Sequence, residues 1–225
     1  MFVFLSVYTS SLFKQSLGHF ALWKGGIEHG DISFLNLMWD PVLGVGVLND
    51  FDLVRIKGIE SRGTRRTGTI AFMSLELLSA DAIDRKRLYW HDVESLVWTL
   101  CWVCISLDVY GDIPPDMDKE WVVSQLHLLR KWKTPTSSLE TRAGILTLRR
   151  QYKPIKGFEL LWRLAGELLH WTSEVYHART VHDQDVDMGR TSDNFRELTP
   201  ETVHQDIVAI LDTYERSALG TLFLS

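Results

Sequence analysis

The sequence predicts a mainly α-helical fold that carries one short β-hairpin. Three observations predict it. Apolar residues recur at helical spacing through much of the chain. The run from Asp92 to Ile105 is apolar on every side, the pattern of a helix buried in a core. Two short apolar stretches, Leu37-Met38-Trp39 and Val45-Gly46-Val47-Leu48, flank a turn made by Asp40-Pro41 and Gly44.

The elements follow in order. Residues 6–26 read as a helix, with Leu12, Phe13, Leu17, Phe20 and Trp23 on one face and Gly25-Gly26 at its end. The hairpin comes next. Residues 53–69 read as a basic loop with Arg55, Lys57, Arg62, Arg65 and Arg66, a solvated face. Ile70 to Leu78 is apolar and enters a helix, and residues 79–90 read as loop. The central helix then starts, with its N-cap at His91 or Asp92. Gly111 and Pro114-Pro115 break the chain, and amphipathic helices follow at 117–132, 138–151 and 158–178. The polar run His177–Glu197 has no periodicity and reads as a linker, its Asp183-Gln184-Asp185-Val186-Asp187 included, because that run lacks the Gly and terminal Glu of a calcium loop. Thr199-Pro200-Glu201 opens the last helix, with Thr at N-cap and Pro at N1.

Composition excludes some functions. The 225 residues are 45% hydrophobic and 24% charged, as in globular domains. The net charge of -5 argues against a nucleic-acid binder or an anionic-membrane binder. No stretch reaches the ~18 uninterrupted apolar residues that a membrane span needs. Cys101 and Cys104 are the two cysteines, and both lie in the apolar helix. No second pair completes a zinc site, so they read as small core hydrophobes in a reducing, intracellular compartment, cytoplasmic or nuclear.

The chemistry concentrates between His29 and Asp52. His29-Gly30-Asp31-Ile32-Ser33-Phe34-Leu35-Asn36 precedes the hairpin, and Leu48-Asn49-Asp50-Phe51-Asp52 follows it. A hairpin brings its two open ends together, so Asn36 and Asp50 are expected close in space. Both are hard oxygen donors, and magnesium takes one or two protein carboxylates while leaving room for phosphates. Phosphoryl transfer needs such a metal and a separate group near the attacking hydroxyl. Taken alone, H-x-D-x-x-x-x-N reads as an ordinary turn, since Asp and Asn cap their own backbone.

The ordered set says more. After the hairpin come Asp50-Phe51-Asp52-Leu53, the basic loop, Gly68-Thr69-Ile70-Ala71-Phe72-Met73, Glu76, and His91-Asp92-Val93-Glu94-Ser95. With Ala21-Leu22-Trp23-Lys24-Gly25-Gly26-Ile27 ahead of it, this set resembles the C-terminal lobe of the fungal-type protein kinases over roughly residues 17–105. The resemblance implies a protein-kinase-like lobe at 1–178, a linker at 179–198 and a C-terminal helix at 199–219. It implies ATP-dependent phosphorylation of Ser/Thr in a protein substrate, with Mg2+ as cofactor. Asp31 would accept the substrate hydroxyl proton, and Asn36 and Asp50 would hold Mg2+ on the ATP phosphates. His29 would brace the loop, Thr69 would bond near Asp31, Glu76 would pair with an arginine the sequence does not identify, and Asp92 would accept backbone hydrogen bonds from the catalytic loop.

Departures from the general protein-kinase pattern bear on activity, although the serine and the Asp-Phe-Asp are what the fungal-type resemblance implies. Gly30 stands where many kinases carry the Arg that reads a phosphate on the activation segment. Ser33 stands where protein kinases usually have Lys, so no cation meets the transferred phosphate there. Asp52 replaces the Gly of D-F-G, and Ser74-Leu75-Glu76 replaces Ala-Pro-Glu. Only 28 residues precede His29, and they contain no Gly-rich loop and no strand Lys, so the β-rich N-terminal lobe is expected to be absent. Three functions follow: a fungal-type Ser/Thr kinase represented by part of its domain, a non-catalytic module whose partner covers the surface of the absent lobe, and a small-molecule phosphotransferase. His29-Gly30-Asp31 favours the third, but the Gly-Thr to Glu76 segment opposes it.

Overall fold

The computed structural model describes residues 18–40, 42–58, 68–79, 86–105, 130–190 and 198–222. Helix α1 spans 18–24 and ends at Gly25-Gly26, where Gly26 takes a φ of +82° that few other residues adopt. Residues 6–17 of the expected helix lie outside the described residues. Strand β1 (Ile27–Glu28) pairs antiparallel with β4 (Arg55–Ile56). Between them β2 (Leu37–Asp40) and β3 (Val45–Leu48) form the expected hairpin, with Leu37 opposite Leu48 and Asp40 opposite Val45. The Asp40 carboxylate accepts the backbone N–H groups of Val42 and Leu43, so the turn caps itself.

Helix α2 is one turn, Leu75–Leu78. Helix α3 (Tyr89–Ile105) is the post around which the rest packs: every residue except Trp102 is buried. It begins earlier than the sequence suggested. Tyr89 and Trp90 already face the core, and the Nδ1 of His91 caps the N–H of Leu88. Helix α4 is Pro135–Leu148, followed by a 3-10 turn at Arg149–Gln151. Of the helix expected at 117–132, residues 117–129 lie outside the described residues.

Helix α5 runs from Glu159 to Asp187. This corrects the linker expected from 179: residues 179–187 continue the helix, and 191–197 lie outside the described residues. One narrow face explains the extension, since Val175, Tyr176 and Arg179 still touch the core side while their neighbours meet water. Helix α6 (Pro200–Leu222) starts as its capping residues predict, with the Thr202 N–H donating to Thr199 Oγ1 at 3.2 Å. Helices α3 and α5 pack along each other, and α6 closes over α5.

Large aromatics join the layers. The ring of Trp98 meets Trp132 edge-on at 5.8 Å, and Trp102 lies against both Trp132 and Phe72. Cys101 and Cys104 are free thiols inside this core, and burial pushes both far above the usual thiol range, as core hydrophobes should be. No helix among the described residues is long and apolar enough to cross a membrane. The described chain is thus mainly helical with a few short strands.

Candidate active site

The loop after β1 is shaped by glycine and by a buried imidazole. Gly30 takes φ +81°, which disfavours any side chain at that position. This is a backbone reason for the missing Arg. His29 is fully buried. Its Nε2–H donates to the carbonyl of Asn49 at 3.0 Å, and its Nδ1 accepts the N–H of Asp31 at 3.3 Å. That pairing requires a neutral ring with the proton on Nε2. Burial lowers the His29 pKa, which keeps the ring in that form. The ring of Phe51 rests on it at 5.0 Å. One side chain therefore ties Asp31 to the strand end that carries Asp50.

Asp31 is half-buried and held on both oxygens. Its Oδ1 accepts the Thr69 N–H at 2.7 Å and the Thr69 hydroxyl at 2.8 Å. Its Oδ2 accepts Asn36 Nδ2–H at 3.2 Å, and the same amide donates to the Asp31 carbonyl at 2.9 Å. Thr69 reaches Asp31 because the two chains touch at bare backbone. Gly68 has φ +126°, and a Cβ there would lie 2.9 Å from the Gly30 carbonyl oxygen.

Asn36 and Asp50 stand at the open end of the hairpin. The Asn49 N–H donates to the Asn36 carbonyl at 2.9 Å, which extends the ladder by one bond and sets Asp50 next to Asn36. Asp50 is exposed and has φ +60°, a left-handed conformation for a residue with a side chain. Such strain collects at sites with a task. The Asn36 amide nitrogen serves Asp31, and its Oδ1 is the acceptor end of that amide. One amide oxygen and one carboxylate are donors of the kind Mg2+ takes when phosphates and water fill its other positions. Among the described residues no group of three or more His, Cys, Asp or Glu could hold a metal.

Asp92 lies under the loop, fully buried. It accepts Arg87 at 2.7 Å, His19 Nε2 at 3.2 Å and, more loosely, the Gly30 N–H at 3.5 Å. Burial works to raise its pKa, but the Arg87 guanidinium and His19 outweigh burial and hold it well below the usual carboxylate range.

Glu76 finds the arginine that the sequence left unidentified. Arg179 of α5 donates to it at 2.9 Å, His91 donates at 3.0 Å, and the Arg179 guanidinium lies over the Trp90 ring. Three polar residues that sequence reasoning missed join the same region. Glu94 is wholly buried and accepts the Ser74 hydroxyl at 2.5 Å, the Tyr176 hydroxyl at 2.8 Å, the Trp98 indole at 2.8 Å and the Leu75 N–H at 3.0 Å. Tyr176 also accepts the Glu76 N–H at 3.0 Å. Arg142 of α4 is equally buried and donates to the carbonyls of Met73 and Ile70. It stacks over Trp98 and Trp132. Burial lowers the Arg142 pKa to about 10, with the Glu94 charge pulling the other way. The signal that could have found these residues was a charge on an apolar face: Arg142 between Ser138 and Ile145, and Glu94 within a helix otherwise fit for a core.

A cleft of about 750 Å3 opens elsewhere, between α5 and α6, lined by Trp162, Arg163, Ile210 and Tyr214 among others, and none of the residues above lines it. In comparisons with known proteins, residues 13–104 match the family model described as fungal protein kinase. A search of curated proteins finds no match.

Proposed function

We propose, from the match of residues 13–104 to the fungal protein kinase family model, that this region moves the γ-phosphoryl group of ATP to a serine or threonine hydroxyl of a protein. One observation carries the reading. Asp31 is oriented by Thr69 through one oxygen and by Asn36 through the other, yet stays half-exposed. An oriented carboxylate with an open lone pair is what a general base needs. The substrate hydroxyl would donate to Asp31 Oδ2. As its oxygen bonds to the γ-phosphorus, the bond to the β-phosphate oxygen breaks, ADP departs and the proton passes to Asp31. Asn36 Oδ1 and the Asp50 carboxylate would hold Mg2+, which would neutralise charge on the phosphates. His29 keeps the loop and the Asp50 strand in one register. With Ser33 in place of a cation, stabilisation of the transferred phosphate falls to the metal.

A second reading is a module that binds a partner without catalysis. The hairpin region favours it, because Leu35, Met38, Val42 and Leu43 are 81%, 51%, 89% and 70% exposed.

Two measurements test the first reading. ATP with Mg2+ should raise the thermal midpoint of the chain, and Asp50→Asn should reduce that shift. Asp31→Asn should keep the shift but lower phosphate transfer to a Ser/Thr peptide about 10²–10⁴-fold. No shift in either the parent chain or Asp50→Asn would leave the binding-module reading in its place.

A further inference from the structure

The region 69–76 is gripped by two buried charges of opposite sign that do not pair with each other. Arg142 gives its hydrogen bonds to two backbone carbonyls, those of Ile70 and Met73. Glu94 spends both oxygens on the next turn, taking Ser74, Leu75 and the hydroxyl of Tyr176. The two residues come from different helices, α4 and α3, and each is 0% exposed. They lie close enough for the Glu94 charge to act on Arg142.

Ions in a low-dielectric interior are stable only when their charges and bonds are answered. Here the segment itself answers them. Releasing the segment would leave Arg142 and Glu94 buried with unmet bonds. Within the Asp31 loop, Gly30 offers no cation to a phosphate on the segment, and Arg87 donates to Asp92.

We propose that Glu94 and Arg142 are positioning residues that lock the 69–76 segment against Asp31 without any phosphate on that segment. This inference rests on reading Asp31 as the base. The lock acts through Thr69, whose N–H and hydroxyl orient Asp31, and through the Phe72 and Met73 N–H groups, which fold back onto the Thr69 carbonyl. The site is therefore assembled constitutively, and control must come from access to substrate rather than from remaking this loop.

Amide hydrogen exchange in the full chain tests the idea without nucleotide, so failure of phosphoryl transfer would not decide it. In Arg142→Met, protection of the Thr69, Phe72 and Met73 amides should fall about ten-fold or more while the amides of α6 keep theirs. Glu94→Gln, which keeps the shape and one acceptor oxygen, should give a smaller loss at Leu75 and Thr69. Ser74→Ala provides a gentler variant should Arg142→Met fail to fold, with the same direction at Thr69. Unchanged Thr69 protection in all three, or a loss shared equally with α6, would overturn the proposal. Thr67→Glu, standing for a phosphate just ahead of the segment in sequence, should leave Thr69 protection unchanged, and a rise would overturn the claim of phosphate independence.

Discussion

Asp31 and Glu94 are both carboxylates, and the fold treats them in opposite ways. Asp31 sits at a loop, half-exposed, with one oxygen saturated by Thr69 and the other still open to an incoming donor. Glu94 sits inside α3, wholly buried, with two donors on each oxygen. The chemistry of the side chain is shared, and the number of unspent lone pairs differs. A carboxylate with spare acceptor capacity at a surface can take a proton from a substrate. A saturated one in the core can only hold its neighbours still.

Asp92 is the strongest test of that contrast, since it is a carboxylate wholly buried with a cation, directly beneath the open one. Asp92→Asn should cost about 3–5 kcal/mol, because it removes the buried carboxylate charge to which Arg87 donates at 2.7 Å. Urea unfolding measures it, and a loss below about 1 kcal/mol would mean that the buried Asp92–Arg87 pair is not what binds the loop to the core. The pH dependence has a defined sign. The folded pKa of Asp92 is depressed, so its contribution is complete above the ordinary carboxylate range and is lost as pH falls below about 4. The Asn variant should lack that part of the acid transition.

Gly68→Ala probes the contact between the open region and the locked one. The positive φ and the 2.9 Å approach to the Gly30 carbonyl make any Cβ costly, at about 1–3 kcal/mol. The more telling readout is Thr69, whose amide should lose its protection from exchange as the segment backs away from Asp31. The smallest effect belongs to Lys24→Gln. Lys24 pairs with Glu201 on the surface, where both side chains are about half exposed. The urea midpoint should not move, which would separate carboxylates that merely meet a cation from those enclosed with one.

Parts of this arrangement were legible in the sequence. The hairpin announced itself by two short apolar runs around Asp40-Pro41 and Gly44, and α3 by being apolar all round. Asp31, Asn36, Asp50, Thr69, Glu76 and Asp92 were marked by their order along the chain, and the fold brings Thr69 and Asn36 onto Asp31. The buried lock was not legible. Periodicity finds apolar faces, so a lone Arg142 or Glu94 at a core position registers as noise. The last third of α5, residues 179–187, was misread for a related reason. Its contact face narrows to Val175, Tyr176 and Arg179, too few residues to set a period against a run of polar neighbours. The partner of Glu76 lay inside that misread run. The early start of α3 went unseen because Tyr89 and Trp90 precede the acidic residues that usually mark a helix start.

The bare contact between Gly30 and Gly68 works as a gauge block. Most spacings in a protein can be adjusted in small steps, by trading one side chain for a slightly larger one. This one has no side chain to trade, and the smallest addition already exceeds the room available. The separation of the Asp31 loop from the segment that orients its carboxylate is therefore set as a whole number. It is either backbone against backbone or displaced altogether, and evolution or design can change it only by moving both loops at once.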